Sequence, residues 1–170
     1  CRLAAAKCLA EAAKKAAPGS EEAMRLPALA IACGDADAAV SGAAFFALAN
    51  RFGDLRDAAP APAEARMARQ ATGAAARVAA DEGRGQVARE RAIEFVEATG
   101  CWTADVVGGV GSRFVHKIPT AAQNAVLQAA LDGGARLAAT RALGSAPAKP
   151  QIREVLERLL EVDDPRVRDE

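Results

Sequence analysis

The stretch Ala135–Gly144, ARLAATRALG, decides how this chain is read. It follows the apolar run AVLQAAL (125–131) and the turn Asp132-Gly133-Gly134. Ala135, Ala139 and Leu143 recur every four positions, which lines them along one face of a helix. Arg136 follows the first of them. Gly144 stands where a helix ends, at a position that favours a left-handed residue. The pattern recurs at Cys1, Arg2, Ala5 and Leu9, at Val40, Ala44 and Leu48, at Ala88, Arg89, Ala92 and Val96, and begins again at Val167-Arg168. A small or apolar residue every fourth position, repeated along a chain, describes helices that pack face to face.

Composition agrees with close helix packing. Roughly a quarter of the 170 residues are alanine, there is no tyrosine, and aromatics make up 4% of the chain, so a core must be built from small side chains. One domain spanning 1–170 is expected. Lys+Arg and Asp+Glu number 22 each, which removes the broad basic field of a nucleic-acid or anionic-membrane binder. No apolar run reaches the length of a membrane span. Cys1, Cys8, Cys33 and Cys101 show no C-x-x-C spacing and share the chain with one histidine, His116, so buried thiols are expected rather than a metal site. No cofactor is implied.

Taken in order, residues 1–17 read as a helix with Cys1, Ala5, Cys8 and Leu9 on its packed face, ended by Pro18-Gly19. Ser20 caps a second helix that runs to about Cys33 with Pro27 in its middle. Gly34-Asp35-Ala36-Asp37 is a turn with an N-cap, and the helix after it is apolar nearly all round, through Ala43, Phe45, Phe46 and Ala47. A loop is expected over 53–63 and an alanine- and arginine-rich helix over 64–81, broken by Gly83-Arg84-Gly85. The segment 100–119 holds Trp102, His116 and Gly108, Gly109 and Gly111 among β-branched residues, and reads either as a glycine-weakened helix or as an extended loop. Thr120 with Gln123 forms a capping box. QIREVLERLLEV, from Gln151, is strongly amphipathic, with Ile152, Val155, Leu156, Leu159 and Leu160 inward.

The copies begin near Cys1, Val40, Ala88, Ala135 and Val167, at offsets of about 39, 48, 47 and 32 residues. Together with ARLAATRALG and DDPRVR (163–168), this spacing resembles the HEAT-repeat superfamily of armadillo-like proteins, many of them bacterial. The resemblance implies an all-α fold: a right-handed α–α superhelix of about four helical hairpins, whole or cut from a longer solenoid. Open ends then need a cap, adjoining repeats or end-to-end self-association.

Such a fold implies a non-enzymatic scaffold that binds a protein partner along the concave face lined by the second helix of each hairpin. By the repeat phase those helices lie near 21–33, 64–81, 120–131 and 150–161. Their polar residues Arg66, Arg69, Arg77, Gln123, Asn124, Arg153 and Arg158 are the candidate contacts, because arginine suits carboxylates and aromatic faces. No catalytic residue is assigned. His116 beside Lys117 has no nucleophile in evident relation to it, and Gly108-Gly109-Val110-Gly111 lacks the spacing of a phosphate loop. Two other functions belong to proteins of this resemblance: lyase-type action on a tetrapyrrole-bearing protein, and nucleic-acid binding along an arginine-lined groove. Scarce aromatics oppose the first and neutral charge the second. A cytoplasmic location is expected, or a lipid-anchored periplasmic one if Cys1 is an acylated residue.

Overall fold

The computed structural model describes residues 1–17, 20, 27–54, 62–101, 116–117, 120–144, 146, 149–162 and 164–168. Its helices are α1 (Arg2–Lys15), α2 (Pro27–Ala32), α3 (Ala38–Asp54), α4 (Pro62–Ala80), α5 (Gln86–Thr99), α6 (Thr120–Asp132), α7 (Arg136–Gly144), α8 (Pro150–Leu160) and α9 (Pro165–Arg168). The fold is α-helical. The extended pairing among the described residues is one short parallel bridge, β1 (Gly100–Cys101) with β2 (His116–Lys117). Both ends of the segment 100–119 thus have extended backbone at these residues, while Trp102, Gly108, Gly109 and Gly111 lie outside the described residues.

The helices pack in two rows. α1, α3, α5, α7 and α9 each meet the next of their own row, and so do α2, α4, α6 and α8. Close pairs join the rows, α2 to α3, α4 to α5 and α6 to α7. Alanine makes this arrangement possible. Ala71, Ala75 and Ala79 of α4, Ala88 and Ala92 of α5, Ala129 and Ala130 of α6 and Ala139 and Ala142 of α7 are all buried, so helices meet with little side chain between them. Phe45 and Phe95 fill the centre with their ring centroids 5.7 Å apart, and Leu29, Leu48, Ile93 and Leu143 complete it.

The four-residue spacing marks the buried face in α3, α5 and α7. Val40, Ala44 and Leu48, then Ala88, Ala92 and Val96, then Ala135, Ala139 and Leu143 are buried. It misplaces α1. Cys1, Ala5 and Cys8 are exposed there, and Ala6 and Ala13 are buried with Leu9 and Ala10 packed against the core. The helix has small residues all round it, so periodicity had no contrast from which to choose a face. Buried thiols hold for Cys33 alone, whose burial pushes the thiol pKa upward; Cys1 and Cys8 face solvent, and the Cys101 side chain is outside the described residues.

Other boundaries shift in the same physical terms. The described part of the second helix is α2, from Pro27 to Ala32, with Leu29 and Ala30 buried. Residues 21–26, with the acidic turn after Ser20, lie outside the described residues. Gly53 and Asp54 belong to α3, and Pro62 and Ala63 to α4, so these four positions of the expected loop are helical, while 55–61 lie outside the described residues. Phe46 is 51% exposed, although α3 is apolar nearly all round. Thr120 is the first residue of α6 rather than the one before it. Gly144 stays within α7, while the positive φ, +81°, is at Gly133 in the turn before it. In α8, Ile152, Val155 and Leu159 are buried and Leu156 partly so, while Leu160 is 64% exposed.

Aspartates make one kind of backbone bond in the turns before α3, α5 and α7 and at the cap of α9. In each an aspartate Oδ1 accepts the backbone N–H two residues on: Asp35 from Asp37 (2.8 Å), Asp81 from Gly83 (3.0 Å), Asp132 from Gly134 (2.8 Å) and Asp164 from Arg166 (3.0 Å). Arginines tie these turns to neighbouring helices. Arg2 donates to Asp35 Oδ2 at 3.2 Å, and Arg84 to the Asp35 carbonyl. Arg89, 3% exposed, donates from Nε to the Ala79 carbonyl at 2.8 Å and from Nη2 to Asp132 Oδ2 at 2.7 Å. Arg136 donates to the carbonyls of Ala130 and Leu131 at 3.2 and 3.3 Å. Many of this chain's arginines therefore have structural work.

Candidate interaction surface

Three of the seven candidate contacts come together on α4. Arg66, Arg69 and Arg77 are all exposed. With Gln70 and Ala80 they fall within a stripe about 100° wide at 100° per residue. The opposite side of the helix, Met67, Ala68, Ala71, Ala75 and Ala79, is buried, and this fixes the direction in which the stripe faces. Helix α4 reads cleanly because alanines at the packed positions alternate with long polar side chains elsewhere.

The remaining four candidates divide. Asn124 is exposed on α6, which packs beside α4, and Gln128 is exposed one turn further on. Gln123 is half-buried and engaged within the fold. Arg158 is held by Glu154 at 3.2 Å, one turn earlier on the surface of α8. Arg153 is exposed and lines a cavity of about 380 Å³ between α7, α8 and α9, together with Thr140, Leu143, Ile152, Leu156 and Val167. The cavity is largely apolar, and Glu157 joins Arg153 in lining it. Sequence periodicity gave no sign of it, because a space between three helices depends on how their axes splay.

Ion pairing divides the arginines, with the three of α4 and Arg153 of α8 on one side. Among the described residues the ion pairs of arginine are Arg2–Asp35, Arg84–Asp81, Arg89–Asp132, Arg91–Glu94, Arg158–Glu154 and Arg166–Asp164, and none includes Arg66, Arg69 or Arg77. The helices on either side supply no counter-charge within the row. Helix α2, PALAIA, has no ionisable side chain, and α6 has a single carboxylate at its last residue, Asp132, which Arg89 holds. Burial pushes the Asp132 carboxyl upward, but Arg89, the Gly134 N–H and Arg136 outweigh it and hold the group below its ordinary value. At Asp164 the Arg166 guanidinium does the same. No comparable carboxylate faces the stripe among the described residues.

Two features of the outer surface escaped the sequence reading. Phe46 of α3 lies under the Arg91 guanidinium of α5, 5.5 Å from ring centroid to Cζ, and Val87 is exposed one turn before Arg91. Ile31 of α2 is exposed as well. Single apolar residues carry no periodic signal when both faces of a helix are apolar, as in α3. Among the described residues no group of three or more His, Cys, Asp or Glu is placed to hold a metal ion, and no helix is long and apolar enough to cross a membrane. The side chain of His116, with Trp102 and the glycines between them, is outside the described residues. Compared with protein-family models, with curated proteins and with solved structures, the chain matches none.

Proposed function

We propose that this chain is a non-enzymatic interaction scaffold that binds a protein partner along the row α2, α4, α6 and α8. The observation that carries this reading is the α4 stripe: three exposed arginines without an ion pair among the described residues, flanked by helices that offer them no carboxylate. Holding three like charges along one helix face is unfavourable in the free protein, so the stripe is better suited to a partner than to stability. In this reading the hairpins form a right-handed HEAT-like superhelix with that row on its concave side, and what stands behind it is that alternate helices meet the next of their own row.

The test is affinity capture from an extract of the source organism with the wild-type chain and with an Arg66→Ala, Arg69→Ala, Arg77→Ala variant, each with and without nuclease. A protein held through nuclease and lost with the variant, whose melting temperature matches the wild type, is the expected outcome. Equal capture by the variant removes the stripe from consideration. A catch stripped by nuclease transfers the surface to nucleic acid.

A further inference from the structure

The α4 stripe contains a glycine that the fold does not require. Gly73 lies between Arg69 and Arg77, one turn from each, in the interior of a 19-residue helix. A glycine there is less favourable than alanine, because it gives up more backbone freedom on folding. Packing gives no reason for it: a Cβ at Gly73 would meet only Arg77 Nη1, at 3.9 Å, an ordinary contact. Its effect is to leave a notch in the stripe, floored by backbone and flanked on one side by the Arg77 guanidinium, with Arg69 exposed one turn before it.

We infer that this notch receives a side-chain carboxylate of an acidic segment in the partner protein, with Arg66 taking a second carboxylate one or two turns away. This rests on the surface proposed above and names its ligand. Guanidinium groups present forked donors that fit carboxylates two bonds at a time, and they keep their charge at any physiological pH. Three features favour a polypeptide over a phosphodiester chain. The net charge is zero, so no long-range field gathers a polyanion. The stripe is a single helix wide, with uncharged α2 beside it. The neighbouring helices offer amides, Asn124 and Gln128, and one exposed isoleucine, Ile31, which suit a peptide backbone and an aliphatic side chain.

The test uses the whole chain and fluorescein-labelled deca-glutamate, followed by fluorescence anisotropy, with a duplex oligonucleotide of similar charge as the second arm. Deca-glutamate should bind saturably below about 1 mM and lose at least about tenfold in affinity between 0.05 and 0.3 M salt. An Arg69→Ala, Arg77→Ala variant should abolish binding with its melting temperature unchanged. Gly73→Leu should weaken binding about tenfold, and Gly73→Ala should weaken it less while raising the melting temperature, which shows that the notch and not stability is at issue. Failure of deca-glutamate to bind, equal binding by the arginine variant, unchanged binding by Gly73→Leu, or preference for the duplex overturns the inference. If deca-glutamate fails while a captured partner still depends on the three arginines, the surface stands and only its acidic ligand falls. If the captured partner ignores the arginines, the surface itself falls.

Discussion

Arg89, Asp132 and Gly134 form a polar contact at the edge of the core in which Arg89 is the buried member, and removing Asp132 should expose its worth. Arg89 sits on α5 with its guanidinium shielded from solvent, bridging the carbonyl of Ala79 at the end of α4 and the carboxylate of Asp132 at the end of α6. Asp132→Ala leaves a desolvated cation with one carbonyl for company. It also removes the acceptor that holds the Gly134 N–H in the turn before α7. Breaking a buried ion pair from one side costs about 3–5 kcal/mol, and the Ala79 carbonyl that remains puts this case near 3. For a chain of this length that lowers the melting temperature by about 6–12 °C. Gly134→Ala should act through the same contact, because a Cβ there would land on Arg89 Nη1 and force the guanidinium out of place. The two changes share a partner, so the double variant should lose clearly less than the sum of the single losses. The assay is thermal and urea unfolding followed by circular dichroism for the wild type, both single variants and the double. A melting temperature for Asp132→Ala within about 2 °C of the wild type, or strict additivity, refutes the reasoning.

Acid should weaken the same contact. Asp132 has a folded pKa below its ordinary value, so its contribution is whole above about pH 5 and is lost as pH falls through the folded pKa. Urea unfolding at descending pH should show a steeper loss for the wild type than for Asp132→Asn, and identical slopes would count against it. In α8, Leu159→Ala should cost about 2–4 kcal/mol and Leu160→Ala less than about 0.5, since one is buried and the other 64% exposed; equal costs by urea unfolding would contradict this packing. Phe45→Ala should remove about 3–5 kcal/mol by opening the space against Phe95, read in the same assay. Iodoacetamide labelling mapped by mass spectrometry should modify Cys1 and Cys8 in the native protein and Cys33 only after unfolding, and native labelling of Cys33 would place its helix wrongly.

The α4 arginines were legible in the sequence because each is long and charged in a helix otherwise built of alanine, where solvent is the cheapest place for them. The same rule reads Arg89 wrongly when it is applied alone. Its spacing puts it beside Ala88 on the packed side, but only the distant Asp132 and the Ala79 carbonyl make its burial tolerable. Partner choice of that kind depends on contacts across 43 and 10 positions of sequence, which local pattern does not carry.

The sequence by itself determined the helices, the turns that separate them, and the packed faces of α3, α5 and α7. In α5 and α7 an apolar or small residue every fourth position contrasts with polar neighbours closely enough to fix a direction, and in α3, apolar nearly all round, the same spacing falls on Val40, Ala44 and Leu48, which are buried. Tertiary structure decided the rest. It chose Ala6 and Ala13 over Cys1 and Cys8 as the packed face of α1, because alanine and cysteine are so alike in size and polarity that only the shape of α3 opposite can discriminate. It left Phe46 and Leu160 outside, and it separated the arginines that hold the turns together from those of α4, which are exposed and have no ion pair among the described residues. Burial is a property of neighbours, and a chain that is roughly a quarter alanine says little about its neighbours until the helices have met.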